Sequence, residues 1–229
     1  MCGGNSHVNV VLLVSLYTMP QGVNFFNEYL IRLIIFFLAA NCSFIFKMSR
    51  NLTEKQLSNQ CVFGGDLLHV HVDKVVMPDG KLSVREYVTH PGAVVIIPLL
   101  DNGDLVFERQ HRYPLHQDFY ELPAGKIDPD EDPLLCAQRE LLEETGYIAA
   151  NWRYLTTLHP CIGYSNEKLV YYLAEGLNLQ VACPDDGEHL EVLTLAMTEA
   201  LEWVKAGKIT DNKTVSALFW AEKLIRGEW

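Results

Sequence analysis

Three glutamates lie close together in the segment RELLEET, residues 139–145. Glu140, Glu143 and Glu144 follow an i, i+3, i+4 spacing, which places their carboxylates on one face of a helix. Like charges at this spacing repel, so the cluster is either a solvated surface or a cation site, and the spacing alone favours the surface. As a site, it would suit Mg²⁺ or Mn²⁺, which bind carboxylates together with substrate phosphate.

The residues around the cluster change that balance. Residues 125–147 read GKIDPDEDPLLCAQRELLEETGY and match the Nudix box, G-x5-E-x7-R-E-U-x-E-E-x-G-U, in which U is apolar. The match departs only at Tyr147, where an aliphatic residue is usual. Chance agreement at so many fixed positions has a probability on the order of one in a million. The segment therefore resembles the Nudix family.

The resemblance implies a role for each matched position. The family's metal ligands fall on the backbone carbonyl of Ala124 and on Glu140, Glu143 and Glu144. Arg139 and Glu131 are expected to orient these glutamates through charge-assisted hydrogen bonds. Gly125 and Gly146 are expected to permit the turns that enter and leave the helix, without a chemical role.

The flanking segments resemble the ADP-ribose pyrophosphatase branch of the family. They are PDGKLSVREYVTHPGAVVIIPL (residues 78–99), ERQHRYP (108–114) and ELPAGKID (121–128), with Pro160 at the branch's proline downstream of the box. By position, Arg112 is expected to bind phosphate or the terminal ribose, with a surface ion pair as the alternative. Arg85, Glu121 and Pro160 are further candidates for the same pocket.

The resemblance also implies a reaction. Water attacks a phosphorus of ADP-ribose with the help of Mg²⁺, giving AMP and ribose 5-phosphate. The general base is expected at Glu188 in the acidic run 185–192, or at Glu143 in the box. Two alternatives stay open, namely hydrolysis of another nucleoside-diphosphate sugar and a non-catalytic Nudix-fold sensor, which the three intact glutamates disfavour.

Hydrophobic patterns predict a mixed α/β fold with a mixed sheet between helices and a hairpin at its start. The hairpin joins strands at residues 68–72 and 82–88 through the turn 78–81. AVVIIPLL (93–100) predicts a strand covered on both faces. Further strands are predicted at 105–110, 153–158, 169–174 and 190–194, and helices at 131–145, 198–206 and 211–226, with Asp211 as an N-cap.

Charge divides the chain at about residue 47. The 229 residues carry a formal net charge of −11, yet Glu28, Arg32 and Lys47 are the only charged residues among the first 47. Residues 1–47 are therefore expected to lie outside a Nudix domain at 48–229. Tyr29–Phe46 is apolar but interrupted, which favours an upstream start or a dispensable extension over a membrane anchor.

Composition also limits location and partners. An acidic domain disfavours nucleic acid as a partner and implies that an anionic substrate is bound through cations. The six cysteines are scattered, so a reducing cytoplasm is expected, and Cys161 with His159 lacks the second ligand pair of a zinc site. His69 and His71 are expected to face water or a partner subunit. The resemblance further implies a homodimer in which N-terminal strands are exchanged.

Overall fold

A computed structural model describes residues 51–180 and 189–229 of the chain. Residues 53–229 form one compact unit. The expected domain boundary at residue 47, the apolar segment Tyr29–Phe46 and Glu188 all lie outside the described residues, so these expectations stay predictions. Within the described residues, no helix is both long and apolar enough to cross a membrane.

The described elements are ten strands and three α-helices. In chain order the strands are β1 (Lys55–Gly64), β2 (His69–Val76), β3 (Leu82–Thr89), β4 (Ala93–Pro98), β5 (Asp104–Arg112), β6 (Gln117–Glu121), β7 (Ala124–Lys126), β8 (Tyr147–Leu158), β9 (Leu169–Leu179) and β10 (Leu190–Ala196). The helices are α1 (Pro133–Thr145), α2 (Met197–Lys205) and α3 (Asn212–Ile225), and a short 3-10 helix, Tyr113–Leu115, follows β5.

The strands form three sheets. The central sheet has the order β7-β4-β9-β8, with β4 parallel to β9 and the other pairs antiparallel. An antiparallel sheet, β10-β5-β6, and an antiparallel sheet, β1-β2-β3, complete the unit. The mixed sheet confirms the predicted fold class.

Strand β4 is buried on both faces, as its continuous apolar sequence predicts. Val94 and Ile96 pack with Cys136 and Leu141 of α1. The alternate residues Val95 and Ile97 belong to a second core cluster, which includes Leu105 and Phe107 of β5 and Ala217, Leu218 and Ala221 of α3. Alternation along one strand thus places helices on opposite faces of the central sheet.

Local signals set both ends of α1. The Asp132 side chain accepts hydrogen bonds from the backbone N–H groups of Leu134 and Leu135, and Pro133 occupies the first turn. At the other end Gly146 takes the left-handed conformation, with φ of 75°, and its N–H donates to the Leu142 carbonyl. The helix therefore begins two residues later than predicted, which leaves Glu131 in the preceding loop.

The β2–β3 hairpin is confirmed, and so is its turn, in which Gly80 has a φ of 84°. Asp211 caps α3 as predicted, because its side chain accepts from the Thr214 N–H at 3.0 Å. Strands β1, β6 and β7 and the first half of β8 were not predicted. None of the ten residues of β1 is buried, so its sequence lacks the apolar alternation that indicates a strand.

Candidate functional site

The helix α1 and the short strand β7 bring the box residues together. Glu144 is only 4% exposed, and its Oε2 accepts a hydrogen bond from the Ala124 N–H at 3.1 Å. This contact places the Glu144 carboxylate beside Ala124, whose carbonyl is the predicted fourth ligand. Position 144 of the helix is thereby joined to β7, the strand in which the box begins.

Gly125 has a different role from the predicted one. It lies in β7, and it is not among the glycines with positive φ in the described residues. A Cβ at this position would lie 1.8 Å from Glu140 Cδ and 1.9 Å from Glu140 Oε1. Glycine is required here because the Glu140 carboxylate occupies the space of a side chain, whereas Gly146 ends the helix as predicted.

Arg139 connects the remaining box carboxylates. Its Nε and Nη2 donate to the two oxygens of Glu131, each at 2.9 Å. Its Nη1 donates to Glu140 Oε1 at 2.9 Å and to Glu143 Oε2 at 3.0 Å. These hydrogen bonds from Arg139 lower the pKa of Glu131 to about 2 and keep its carboxylate charged. The contacts are those that the predicted orienting role of Arg139 and Glu131 requires.

A second charged cluster lies between the β5–β6 pair and the start of α3. Arg112 binds Glu121 with both Nε and Nη2, each at 2.8 Å, and Lys213 Nζ also contacts Glu121. Glu121 is 2% exposed, and burial by itself raises the pKa of its carboxyl. The hydrogen bonds and positive charges of Arg112 and Lys213 outweigh burial, so the pKa of Glu121 is lowered.

Sequence reasoning missed Lys213. It is 92 residues from Glu121 along the chain, and no motif around it marks a functional position. Its Nζ also donates to Asp211 Oδ2 at 2.9 Å, so the capping residue of α3 holds it in place. A cavity of about 420 Å³ opens beside this cluster and is lined by Arg112, Pro114, Leu115, Phe119, Glu121, Thr210, Asp211, Asn212 and Lys213.

Sequence reasoning also missed Glu108, which follows an apolar run in β5. Its residue is fully buried, at 0% exposure, and it is the direct cross-strand neighbour of Glu121. In the described part of the chain, neither of its carboxylate oxygens has a hydrogen-bond partner. Burial and the nearby Glu121 charge raise the pKa of Glu108 to about 7.

No described contact joins two other predicted substrate residues, Arg85 and Pro160, to this arrangement. The Arg85 side chain is on β3 and binds Glu54, with Nε to Oε2 at 2.8 Å, and no described contact joins it to Arg112 or Glu121. Pro160 lies in the turn region between β8 and β9. The structure thus brings Arg112 and Glu121 together, whereas the places of Arg85 and Pro160 in the site stay predictions.

The donors around α1 fit a divalent cation in chemistry. Carboxylate and carbonyl oxygens are the ligands that Mg²⁺ and Mn²⁺ prefer, and the unpartnered Glu108 carboxyl is a group that a cation would satisfy. Across residues 51–180 and 189–229, no three acidic, histidine or cysteine side chains enclose a point that holds a cation. In this arrangement the Arg139 guanidinium binds Glu140 and Glu143.

Comparison with known proteins gives consistent matches. The NUDIX domain family matches residues 89–218. The chain is 36% identical over 173 residues to a methanol dehydrogenase activator of Bacillus methanolicus, which covers 75% of this chain and 94% of the relative. It is 35% identical over 171 residues to an ADP-ribose pyrophosphatase of Bacillus subtilis (strain 168), covering 74% and 92%.

A solved structure shares the fold. The crystal structure of an ADP compounds hydrolase superposes with a TM-score of 0.72 and covers 79% of this chain and 98% of its own, at 24% identity. The family match spans more than half of the chain, and the relatives are covered almost end to end. The chain therefore belongs to the Nudix family.

Proposed function

We propose that the protein hydrolyses the pyrophosphate bond of ADP-ribose, with Mg²⁺ or Mn²⁺, to AMP and ribose 5-phosphate. The observation that carries the proposal is the junction of α1 and β7, where Glu144 is bound by the Ala124 N–H and Glu140 fills the space beside Gly125. The relative named ADP-ribose pyrophosphatase supports the choice of substrate. Other nucleoside-diphosphate sugars are the alternative substrates.

The residues divide the work by position. Glu140, Glu143 and Glu144 with the Ala124 carbonyl hold the cation, and Arg139 and Glu131 orient the first two glutamates. A bound divalent cation neutralises phosphate oxygens and lowers the pKa of the attacking water. Arg112 lines the cavity and its guanidinium is held by two hydrogen bonds to Glu121, which leaves its other N–H groups for an anionic ligand.

Substrate specificity and metal dependence are tested in one assay. We expect metal-dependent turnover of ADP-ribose by the full chain and by protein starting at Met48, and slower turnover of hexose nucleotides. Glu144→Gln removes a charged ligand and should reduce kcat/KM by at least about 100-fold. The measurement is AMP release by chromatography, with and without EDTA. Faster hydrolysis of a hexose nucleotide would favour the alternative substrate, and nucleotide binding without turnover would favour a sensor.

The close approach at Gly125 gives a second prediction. In Gly125→Ala the new Cβ displaces the Glu140 carboxylate, which is the mobile end of a side chain, so the fold is retained. We expect Mn²⁺ affinity to fall by at least about tenfold, while the free energy of unfolding changes by no more than about 1 kcal/mol. Gly163→Ala is the matched control, because a Cβ there meets open space. Equal Mn²⁺ affinity in the two variants would contradict this role.

We propose Glu188 as the general base that takes the proton from the attacking water, on the strength of its position in the acidic run before β10. That strand pairs with β5, which ends at Arg112. Glu188→Gln should lower kcat by about 10²–10⁴-fold with little change in Mn²⁺ affinity. Glu143→Gln is the comparison, measured in the same way over a pH series. Turnover of Glu188→Gln within a few-fold of wild type would move the role to Glu143.

We propose that two copies associate through the β1-β2-β3 sheet. Large apolar side chains are exposed on it, including Leu57 and Phe63 of β1 and Leu82 and Val84 of β3. Single exposed apolar residues are ordinary, but a group of them on one sheet indicates an interface. An oligomer of this kind buries them without further change in the fold.

Light scattering with size-exclusion chromatography measures the oligomeric state. The wild-type protein should have the mass of two chains. Val84→Lys places a second cation opposite Lys74, its cross-strand neighbour, and should give one chain. Ile148→Lys, on the exposed side of β8, should leave the mass unchanged. A wild-type monomer at micromolar concentration would exclude the dimer.

We also propose a cytoplasmic location. The described cysteines, Cys61, Cys136 and Cys161, are free thiols, as expected in a reducing compartment. Recovery of the native protein in the membrane fraction would contradict this location and support an anchor in the first 47 residues.

A further inference from the structure

Glu108 is a buried carboxyl in the middle of a sheet. Strand β5 lies between β10 and β6, and Glu108 pairs with Val192 on one side and Glu121 on the other. Directly paired residues of neighbouring strands point to the same face, so the two glutamates lie side by side. The residue is fully buried, so water does not solvate its charge.

The positively charged side chains near Glu108 bind a different carboxylate, that of Glu121. Arg112 and Lys213 both bind Glu121, so they reach Glu108 only through longer-range attraction. Within the described residues, Glu108 Oε1 and Oε2 both lack a hydrogen-bond partner. A buried carboxyl without partners is costly, and such groups in proteins usually pair with a cation or bind a metal.

The Glu108 carboxyl also interacts with the Glu144 carboxyl, which approaches it from α1. Glu144 is itself buried, and its Oε2 accepts the Ala124 N–H. Two buried carboxylates that lie side by side repel when both are ionised. A divalent cation placed between them would remove the repulsion and satisfy the orphaned oxygens.

We propose that Glu108 is an additional carboxylate ligand of the divalent cation bound at Glu144, supplied by strand β5 from outside the box. The proposal rests on the cation site of the proposed function and extends it by one residue. Glu108 thus couples the sheet that carries Arg112 and Glu121 to the helix that carries the box glutamates. Without the cation, β5 and α1 meet through the like charges of Glu108 and Glu144. With the cation bound, both carboxylates bind the same positive ion.

The test measures Mn²⁺ binding to the full chain by electron paramagnetic resonance. Metal already bound to the protein is removed with EDTA beforehand. We expect Glu108→Gln and Glu108→Leu to lower Mn²⁺ affinity by about tenfold or more. The control is Glu191→Gln, which removes a glutamate from the neighbouring strand β10 where its side chain is 69% exposed, and it should stay within about twofold of wild type.

Thermal unfolding provides a readout that does not depend on turnover. Without metal, Glu108→Gln should melt at or above the wild-type temperature, because the substitution removes an unpaired buried acid. With Mn²⁺, the rise in melting temperature should be smaller than in wild type, since binding stabilises in proportion to affinity. Glu108→Gln keeps the size of the side chain and remains informative if Glu108→Leu fails to fold.

The outcomes separate this proposal from the proposed function. A Glu108→Gln variant whose Mn²⁺ affinity stays within about twofold of wild type would overturn the proposal. A metal-free Glu108→Gln variant that loses as much free energy of unfolding as it loses free energy of Mn²⁺ binding would also overturn it. A wild-type protein that binds Mn²⁺ but does not hydrolyse ADP-ribose would contradict the function and leave the Glu108 result valid. A wild-type protein that does not bind Mn²⁺ would contradict both.

Discussion

Excess negative charge at the junction of α1, β5, β6 and β7 is the constraint on which the site depends. In the described residues, six glutamates meet there, Glu108, Glu121, Glu131, Glu140, Glu143 and Glu144, and three cations bind or face them, Arg112, Arg139 and Lys213. A further positive charge would reduce this imbalance, because buried carboxylates without compensation are costly. A divalent cation supplies that charge and at the same time offers a surface for phosphate.

The cations in the structure are distributed by burial. Lys213 and the guanidinium of Arg112 both bind Glu121. Glu121 is buried, so an unpaired charge there would cost the most free energy. Arg139 serves the partly exposed Glu131, Glu140 and Glu143 at the solvent side of the helix. Glu108 and Glu144 face each other at the inner side, where the backbone N–H of Ala124 is one neutral donor. The inner side is therefore where added positive charge is worth most.

The rest of the fold holds these groups at fixed distances. Strand β4, buried on both faces, anchors α1 through Val94 and Ile96 and anchors α3 through the opposite face. Because α3 begins at the Asp211 cap, its first turn delivers Lys213 to Glu121. The charged cluster around Glu121 and the box glutamates on α1 are thus parts of one packed unit.

The sequence by itself determined what depends on neighbours in the chain. The end of α1 follows from Gly146, the spacing of its glutamates follows from helical periodicity, and the two-sided burial of β4 follows from its apolar run. The box motif supplied the family. Strands β1, β6 and β7 were missed because short or fully exposed strands carry no period-two signal.

Tertiary structure alone decided that Lys213 binds Glu121 across 92 residues, that Gly125 makes room for Glu140, and that Glu108 lies buried beside Glu144. Each of these contacts joins elements that no local pattern relates, and each is set by how sheets and helices pack rather than by the preferences of the residues themselves.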